Sequence, residues 1–328
     1  MQPKWHIAFC NVTYTEYAGV SYADYYASPA VMLEAQLAAR DFAEKRFGVG
    51  RFMQPYPDSP ACLFASYLGV PVITPQEDEL PYLDSTRPVI THVADFARLV
   101  PGDPRTQGLM ARHYSDWQYY NDHGYPCGFG GFGGGVITVA AEVSSGAIFQ
   151  GLAENPDAAR SLLQRVVEAE EHVARFSAEL AGATYTGMGY TGDDYSGLLS
   201  PAMYREFAVP FYQRLYAGNE HRFMHSELLR APHLRIAKEE AGVTEFHGAG
   251  SVHLTLKEQY NIMGERFWTQ LIPQEMLELS PAQIRERIRE FADSGCMCVQ
   301  LDPGRGTPER NMEAAISACH DLCPGGPA

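Results

Sequence analysis

The chain has 328 residues, 45% hydrophobic and 20% charged, so it can bury a large core and is neither disordered nor collagenous. Its formal net charge of −15 at pH 7 speaks against nucleic acid and anionic membrane surfaces as partners, because phosphate recognition needs a basic face. No apolar run reaches the ~18 residues of a membrane-spanning helix, and the opening residues Met1 to His6 carry no apolar signal core.

Seven cysteines, Cys10, Cys62, Cys127, Cys296, Cys298, Cys319 and Cys323, are odd in number and irregular in spacing, which predicts reduced thiols in a cytoplasmic enzyme. The N-terminal part is rich in tyrosine: Tyr14, Tyr17, Tyr22, Tyr25 and Tyr26. Such a cluster lines a pocket for a flat or apolar ligand, or packs as a lid over the main body. Ser28-Pro29 opens a helix over 30–47, with Met32, Leu33, Leu37 and Phe42 at helical spacing. A second helix ends at Gly69, and 70–73 reads as a buried strand running into the acidic run Gln76-Glu77-Asp78-Glu79, a weak site candidate.

Residues 88–124 are polar and aromatic, helical in parts. The stretch 125–135, Y-P-C-G-F-G-G-F-G-G-G, lets backbone approach a ligand closely, with Phe129 and Phe132 available to bind it. It matches neither dinucleotide nor P-loop spacing. Helices are predicted over 136–152 and 158–181, then a strand at 183–189 followed by Tyr190 and the pair Asp193-Asp194. Ser200-Pro201 opens a helix over 202–216.

The segment 222–229, R-F-M-H-S-E-L-L, reads as a buried strand stopping at His225-Ser226-Glu227. An imidazole and a carboxylate two residues apart lie on one side of an extended strand end. That spacing suits two ligands of one metal ion, or an acid/base pair. A helix over 231–241 leads to a strand ending at His247, and a strand over 266–271 carries Gln270. Ser280-Pro281 opens a helix to 294; a last strand over 296–301 runs into Asp302, and Thr307-Pro308 begins the final helix.

The rhythm of strand, polar loop and helix predicts a parallel sheet covered by helices. At this length a closed (β/α)8 TIM barrel with an N-terminal helical and aromatic extension is expected, rather than an open sheet. One domain then spans 1–328, with 1–69 as extension and lid and 70–328 as barrel. In such barrels the loops after strands form the active face, which would gather Asp193, Asp194, Tyr190, His225, Glu227, His247, Gln270 and Asp302.

Several segments resemble the uroporphyrinogen decarboxylase superfamily: G-D-D-Y-S-G-L-L-S-P-A-M-Y-R-E-F-A-V-P-F at 192–211, H-S-E at 225–227, L-K-E-Q-Y-N-I-M-G-E-R-F-W at 256–268 and G-T-P-E-R-N at 306–311. True decarboxylases of that superfamily carry an N-terminal arginine-rich segment for a polycarboxylate tetrapyrrole; here no arginine precedes Arg40. The resemblance therefore implies the other branch, methyltransferases that exchange a methyl group with a corrinoid (cobalamin) carried by a separate protein. Its zinc-dependent members show H-x-C in mid-chain and a cysteine near the C-terminus.

Here His225 is kept, Glu227 stands in the cysteine's place, and Cys298 lies near the expected third position. The resemblance leaves three readings: zinc held by His225, Glu227 and Cys298; proton delivery to a leaving group by His225 and Glu227, with Asp193 and Asp194; or a hydrogen bond that only orders the barrel mouth. Loss of the soft thiolate favours demethylation of a small methylated substrate over thiol methylation. Tyr190, His247, Gln270, Phe129 and Phe132 are the expected substrate contacts. A corrinoid protein is the expected partner and a homodimer the expected assembly. A decarboxylase or lyase acting on a small carboxylate, or a non-catalytic binding protein, are the alternatives.

Overall fold

The fold is that of a computed structural model, which describes residues 2–75, 78–130 and 134–327. Its strands, in chain order, are β1 (Lys4–Ile7), β2 (Val72–Ile73), β3 (Tyr82–Leu83), β4 (Tyr190–Gly192), β5 (Phe223–His225), β6 (Glu245–His247), β7 (Phe267–Leu271) and β8 (Cys298–Leu301). The chain divides into two compact units, Met1–Asp58 with Glu245–Ala328, and Ser59–Thr244.

The first unit holds four parallel strands in the order β1-β8-β7-β6. Register pairs Lys4 with Cys298, Cys298 with Trp268, and Trp268 with His247. Alternation along each strand then sorts the side chains. Trp5, Ile7, Val299, Leu301, Phe267, Leu271 and Phe246 share one face and are fully buried. That face meets the helices Pro281–Asp293 and Glu309–Leu322, with Trp5 edge-on to His320 at 5.0 Å. The opposite face carries Lys4, His6, Cys298, Gln300, Trp268, Gln270 and His247 and is the polar side of the sheet.

The second unit contains the parallel pair β4-β5, with Tyr190 beside Phe223 and Gly192 beside His225. Thr191 and Met224 point into the helices, where they bond the hydroxyls of Tyr216 and Tyr204. Tyr190, Phe223 and His225 therefore share the other face.

Several expectations differ from the structure, and the strand expected over 183–189 lies instead at Tyr190–Gly192. The segment 70–73 does not join the parallel strands; β2 pairs antiparallel with β3, half-buried, because Pro71 lacks a donor and suits only an edge. The helix expected over 136–152 is two helices, Val136–Val143 and Ala147–Glu154, bent by 109°. The hydroxyl of Ser144 bonds the carbonyl of Ala140 and accepts the amide of Ile148, and Gly146 turns the chain at φ +84°. The helix expected over 202–216 breaks at Ala208 into Pro201–Phe207 and Val209–Leu215, since Pro210 offers no amide to the preceding turn. The N-terminal segment read as an extension supplies β1, whose alternation of buried Trp5 and Ile7 is that of a strand. Among the described residues no single helix is long and apolar enough to cross a membrane.

Candidate active site

In the second unit the residues after β4 and β5 meet. The backbone N–H of Glu227 donates to Asp194 Oδ1 at 2.7 Å, and the N–H of Asp193 donates to the His225 carbonyl at 3.0 Å. Ser226 Oγ adds a bond to the Asp193 carbonyl at 3.1 Å. These bonds fasten the two strand ends side by side and leave the Glu227 side chain exposed and His225 half-buried. Tyr190 stacks on Phe223 with ring centroids 5.7 Å apart, on the same strand face as His225. Its side chain is 41% exposed, yet burial, and then the charge of Asp194, push its phenol above the ordinary value.

Asp193 has a different task. It is fully buried, and its carboxylate accepts the amides of Ile137 (2.9 Å) and Thr138 (3.0 Å) and the hydroxyls of Thr138 (2.8 Å) and Tyr212 (2.6 Å). Those amides are the free donors at the start of the helix Val136–Val143, which the glycine stretch enters. Asp193 is thus a remote cap and a positioning residue, with its acceptor capacity filled. An anion cannot use the same amides, so this helix start is no phosphate cradle. Burial raises the Asp193 carboxyl above its ordinary value, opposed by these bonds. Two further carboxyls stand nearby: Glu142 is pushed up to about 7 by burial and then by Asp193, and fully buried Glu170 is raised well above its ordinary value for the same two reasons. Among the described residues the backbone of Gly135 is the group that opposes this rise at Glu170.

Phe129 is a buried member of a cluster with Tyr114, Trp117 and Phe176, at centroid distances of 6.3, 6.1 and 5.2 Å. Its carbonyl takes the Nε2–H of His113 at 2.8 Å, which leaves His113 Nδ1 to accept the Ser59 hydroxyl at 2.7 Å. The start of the glycine stretch is therefore pinned by packing. Phe132 and the Gln76-Glu77 part of the acidic run lie outside the described residues.

In the first unit, Gln300 Nε2 donates to Gln270 Oε1 at 3.1 Å, and Gln270 Nε2 donates to Asp302 Oδ2 at 2.7 Å. This relay runs up the polar face to the C-terminal end of β8. His247 closes β6, buried, with its ring 6.3 Å from Trp268. Cys298 opens β8 at its N-terminal end, two positions before Gln300, and burial holds its thiol far above the ordinary value.

At the C-terminal end of β1 stands a group that the sequence reading left unassigned beyond its tyrosines. Asp58 is buried, with the Tyr25 hydroxyl donating to Oδ2 at 3.2 Å. Gln36 Nε2 donates to the Tyr25 hydroxyl at 2.8 Å and to the Tyr56 carbonyl at 2.9 Å. The rings of Tyr14 and Tyr56 meet edge-on at 6.1 Å, as do Tyr25 and Tyr26 at 5.1 Å. Burial, and next the Asp58 charge, raise all four phenols. Cys10, the first residue before the helix Asn11–Ala18, is raised by burial and also by Asp302 and Asp58. Asp58 sits in Y-P-D-S-P, a turn-like sequence in which an acidic residue is unremarkable; its burial is the signal, and burial is not written in the sequence.

Among the described residues, no group of three or more His, Cys, Asp or Glu side chains is arranged to hold a metal ion. His225 and Glu227 lie in the second unit and Cys298 in the first.

A model of the family described as uroporphyrinogen decarboxylase (URO-D) matches residues 7–322. The chain belongs to the uroporphyrinogen decarboxylase family. Its mixed α/β fold of parallel strands is that family's TIM barrel. Among solved structures, a methyltransferase from Methanosarcina mazei is similar in fold, with a TM-score of 0.73 over 98% of this chain and 94% of that one, at 16% identity. No curated protein matches the sequence.

Proposed function

We propose that this member of the uroporphyrinogen decarboxylase family is a methyltransferase subunit of demethylation type, passing a methyl group from a small methylated substrate to a corrinoid on a separate protein. The observation that carries this reading is the chemistry of the strand ends. They offer His225, Glu227 and Asp194 in one unit and Gln270, Asp302 and Asp58 in the other. Carboxylates, an imidazole and an amide suit proton delivery to a departing atom; they do not suit a polycarboxylate tetrapyrrole, which needs cations. Arg305 on the β8 side is engaged by Thr15 (3.3 Å) and the Tyr22 ring (4.5 Å).

The corrinoid, when present, supplies the nucleophile that takes the methyl carbon. The bond from that carbon to its oxygen, nitrogen or sulfur breaks, and the departing atom leaves with the electron pair and needs a proton. His225 and Glu227 deliver it from one strand end. Asp194 holds the Glu227 backbone in place, and the Tyr190–Phe223 pair walls the same face. Water must be kept out while the methyl group moves in line.

The test is methyl transfer to cob(I)alamin, or to a reduced corrinoid protein, from a panel of methyl ethers, amines and thiols, followed by the methylcobalamin spectrum. Glu227→Gln and His225→Ala should each lower kcat by about 10²-fold, the ordinary share of a general acid. No transfer across the panel, with carbon dioxide released from a small carboxylate instead, would replace this reading with a decarboxylase.

A further inference from the structure

We propose that Ser59 is a nucleophile activated by His113, and that the folded chain carries out acyl transfer from small activated esters at this serine. Both residues lie in the second unit. The Phe129 carbonyl can only accept, so the His113 proton sits on Nε2, which donates to it at 2.8 Å. Nδ1 then carries the ring's free lone pair, and Ser59 Oγ donates to it at 2.7 Å. Nucleophile, base and an orienter of the base stand within hydrogen-bond reach of one another. That arrangement takes the proton from a hydroxyl as its oxygen attacks.

Each member is also held from outside the trio. His113 stands within the helix Gly108–Asp122, buried, with its ring edge-on to Phe129 at 4.9 Å. The Phe129 carbonyl is placed by the packing of its ring and by a bond on either side. Trp117 Nε1 donates to the Cys127 carbonyl at 2.9 Å, and Ser177 Oγ donates to the Gly130 carbonyl at 3.3 Å. Pro60 steers the Ser59 backbone away from the helical region. Ser59 is half-buried where His113 is buried, so the serine is the part of the pair that meets solvent, and Ala61, two positions on, is exposed as well. Burial lowers the His113 imidazole below its ordinary value, which keeps it a neutral base at pH 7.

In the step itself, Ser59 Oγ bonds to the ester carbonyl carbon while its proton passes to His113 Nδ1. The tetrahedral adduct collapses and the bond from carbon to the leaving oxygen breaks. That oxygen takes the electron pair and the proton from Nδ1. The acyl group stays on Ser59 until water attacks by the same two movements and frees it as the carboxylic acid. The Phe129 carbonyl accepts from the other nitrogen throughout, which steadies the imidazolium formed between the two movements.

The inference goes beyond the methyltransferase reading and does not rest on it. The experiment treats the whole chain with phenylmethylsulfonyl fluoride and, separately, with p-nitrophenyl acetate. Peptide mass spectrometry should find the sulfonyl group, and the acetyl group, on Ser59 of the folded protein. Protein unfolded in urea should not be sulfonylated there. Ser59→Ala should lower the release of p-nitrophenol at least tenfold, with the circular dichroism spectrum unchanged. His113→Asn with a native spectrum should be sulfonylated at Ser59 at least tenfold more slowly. The inference is overturned by folded protein without a Ser59 adduct, or by labelling at equal rates when folded and unfolded. Unchanged labelling in folded His113→Asn, or unchanged p-nitrophenol release from Ser59→Ala, overturns it too.

Discussion

Glu142 and Asp193 show how differently two carboxyls a short way apart can be used. Asp193 is buried but saturated by four donors, so its negative charge has partners. Glu142 is half-buried with Asp193 as a neighbour, and its carboxyl moves from 4.5 to about 7. The folded protein therefore binds the Glu142 proton more tightly than the unfolded chain. That contribution to stability is full below about 4.5 and is lost as pH rises through about 7. Glu142→Gln should leave stability near pH 4.5 unchanged and raise it at pH 8 by on the order of 1–2 kcal/mol, after discounting the shift for partial exposure. Urea denaturation of both proteins at the two pH values checks this; an equal effect at both would show that charge is not the cause. The sequence shows Asp193-Asp194 plainly as a pair worth watching. It does not show that one of them caps a helix 56 positions earlier while the other holds the backbone of Glu227.

The glycine stretch and the helix after it are the element on which the second unit's strand ends depend. Gly135 has φ +76°, and a Cβ there would lie 2.4 Å from both Asp193 Cβ and the Gly192 carbonyl oxygen. Gly135→Ala should thus cost about 2–4 kcal/mol, combining left-handed strain with overlap against β4. Hydrogen exchange should then quicken at Ile137 and Thr138, whose amides Asp193 holds; unaltered exchange there would dissociate the loop from the cap. The density of glycine announces a close backbone approach, and at Gly135 the approach is to the protein's own strand β4. Elements with strong punctuation were legible in the sequence: the Ser28-Pro29 start, the Ser200-Pro201 start and the Ser280-Pro281 start each bond the helix amide as their residue types predict. Breaks set by tertiary bonds were not, as at Ser144, whose hydroxyl satisfies both sides of a 109° bend. The β1 strand was hidden for another reason, since four residues are too few for periodicity to outweigh an aromatic-rich context.

At the scale of the whole molecule, the alternating pattern of strands and helices points to a TIM barrel, and family membership over residues 7–322 agrees with it. Chemistry converges on such a fold from distant stretches of chain, which is why single motifs read weakly and Asp58 escaped notice. One buried side chain then changes a property of the entire protein. The formal charge of −15 counts every carboxyl as ionised. Burial raises the Glu170 carboxyl well above its ordinary value and moves Glu142 to about 7, so both favour taking up a proton on folding. Folding then moves protons between the chain and the medium. Burial also lowers the imidazoles of His6, His113 and His233, which release protons on folding, so the share of Glu170 is read as a difference between proteins refolded from urea in unbuffered solution at pH 7 and followed by a pH-stat. Glu170→Met should take up fewer protons than the unaltered protein, and equal uptake by the two would mean that Glu170 is charged in the folded state. Through these two carboxyls the molecule's own compaction is favoured wherever protons are plentiful, a sensitivity to the medium carried by residues that need touch no ligand.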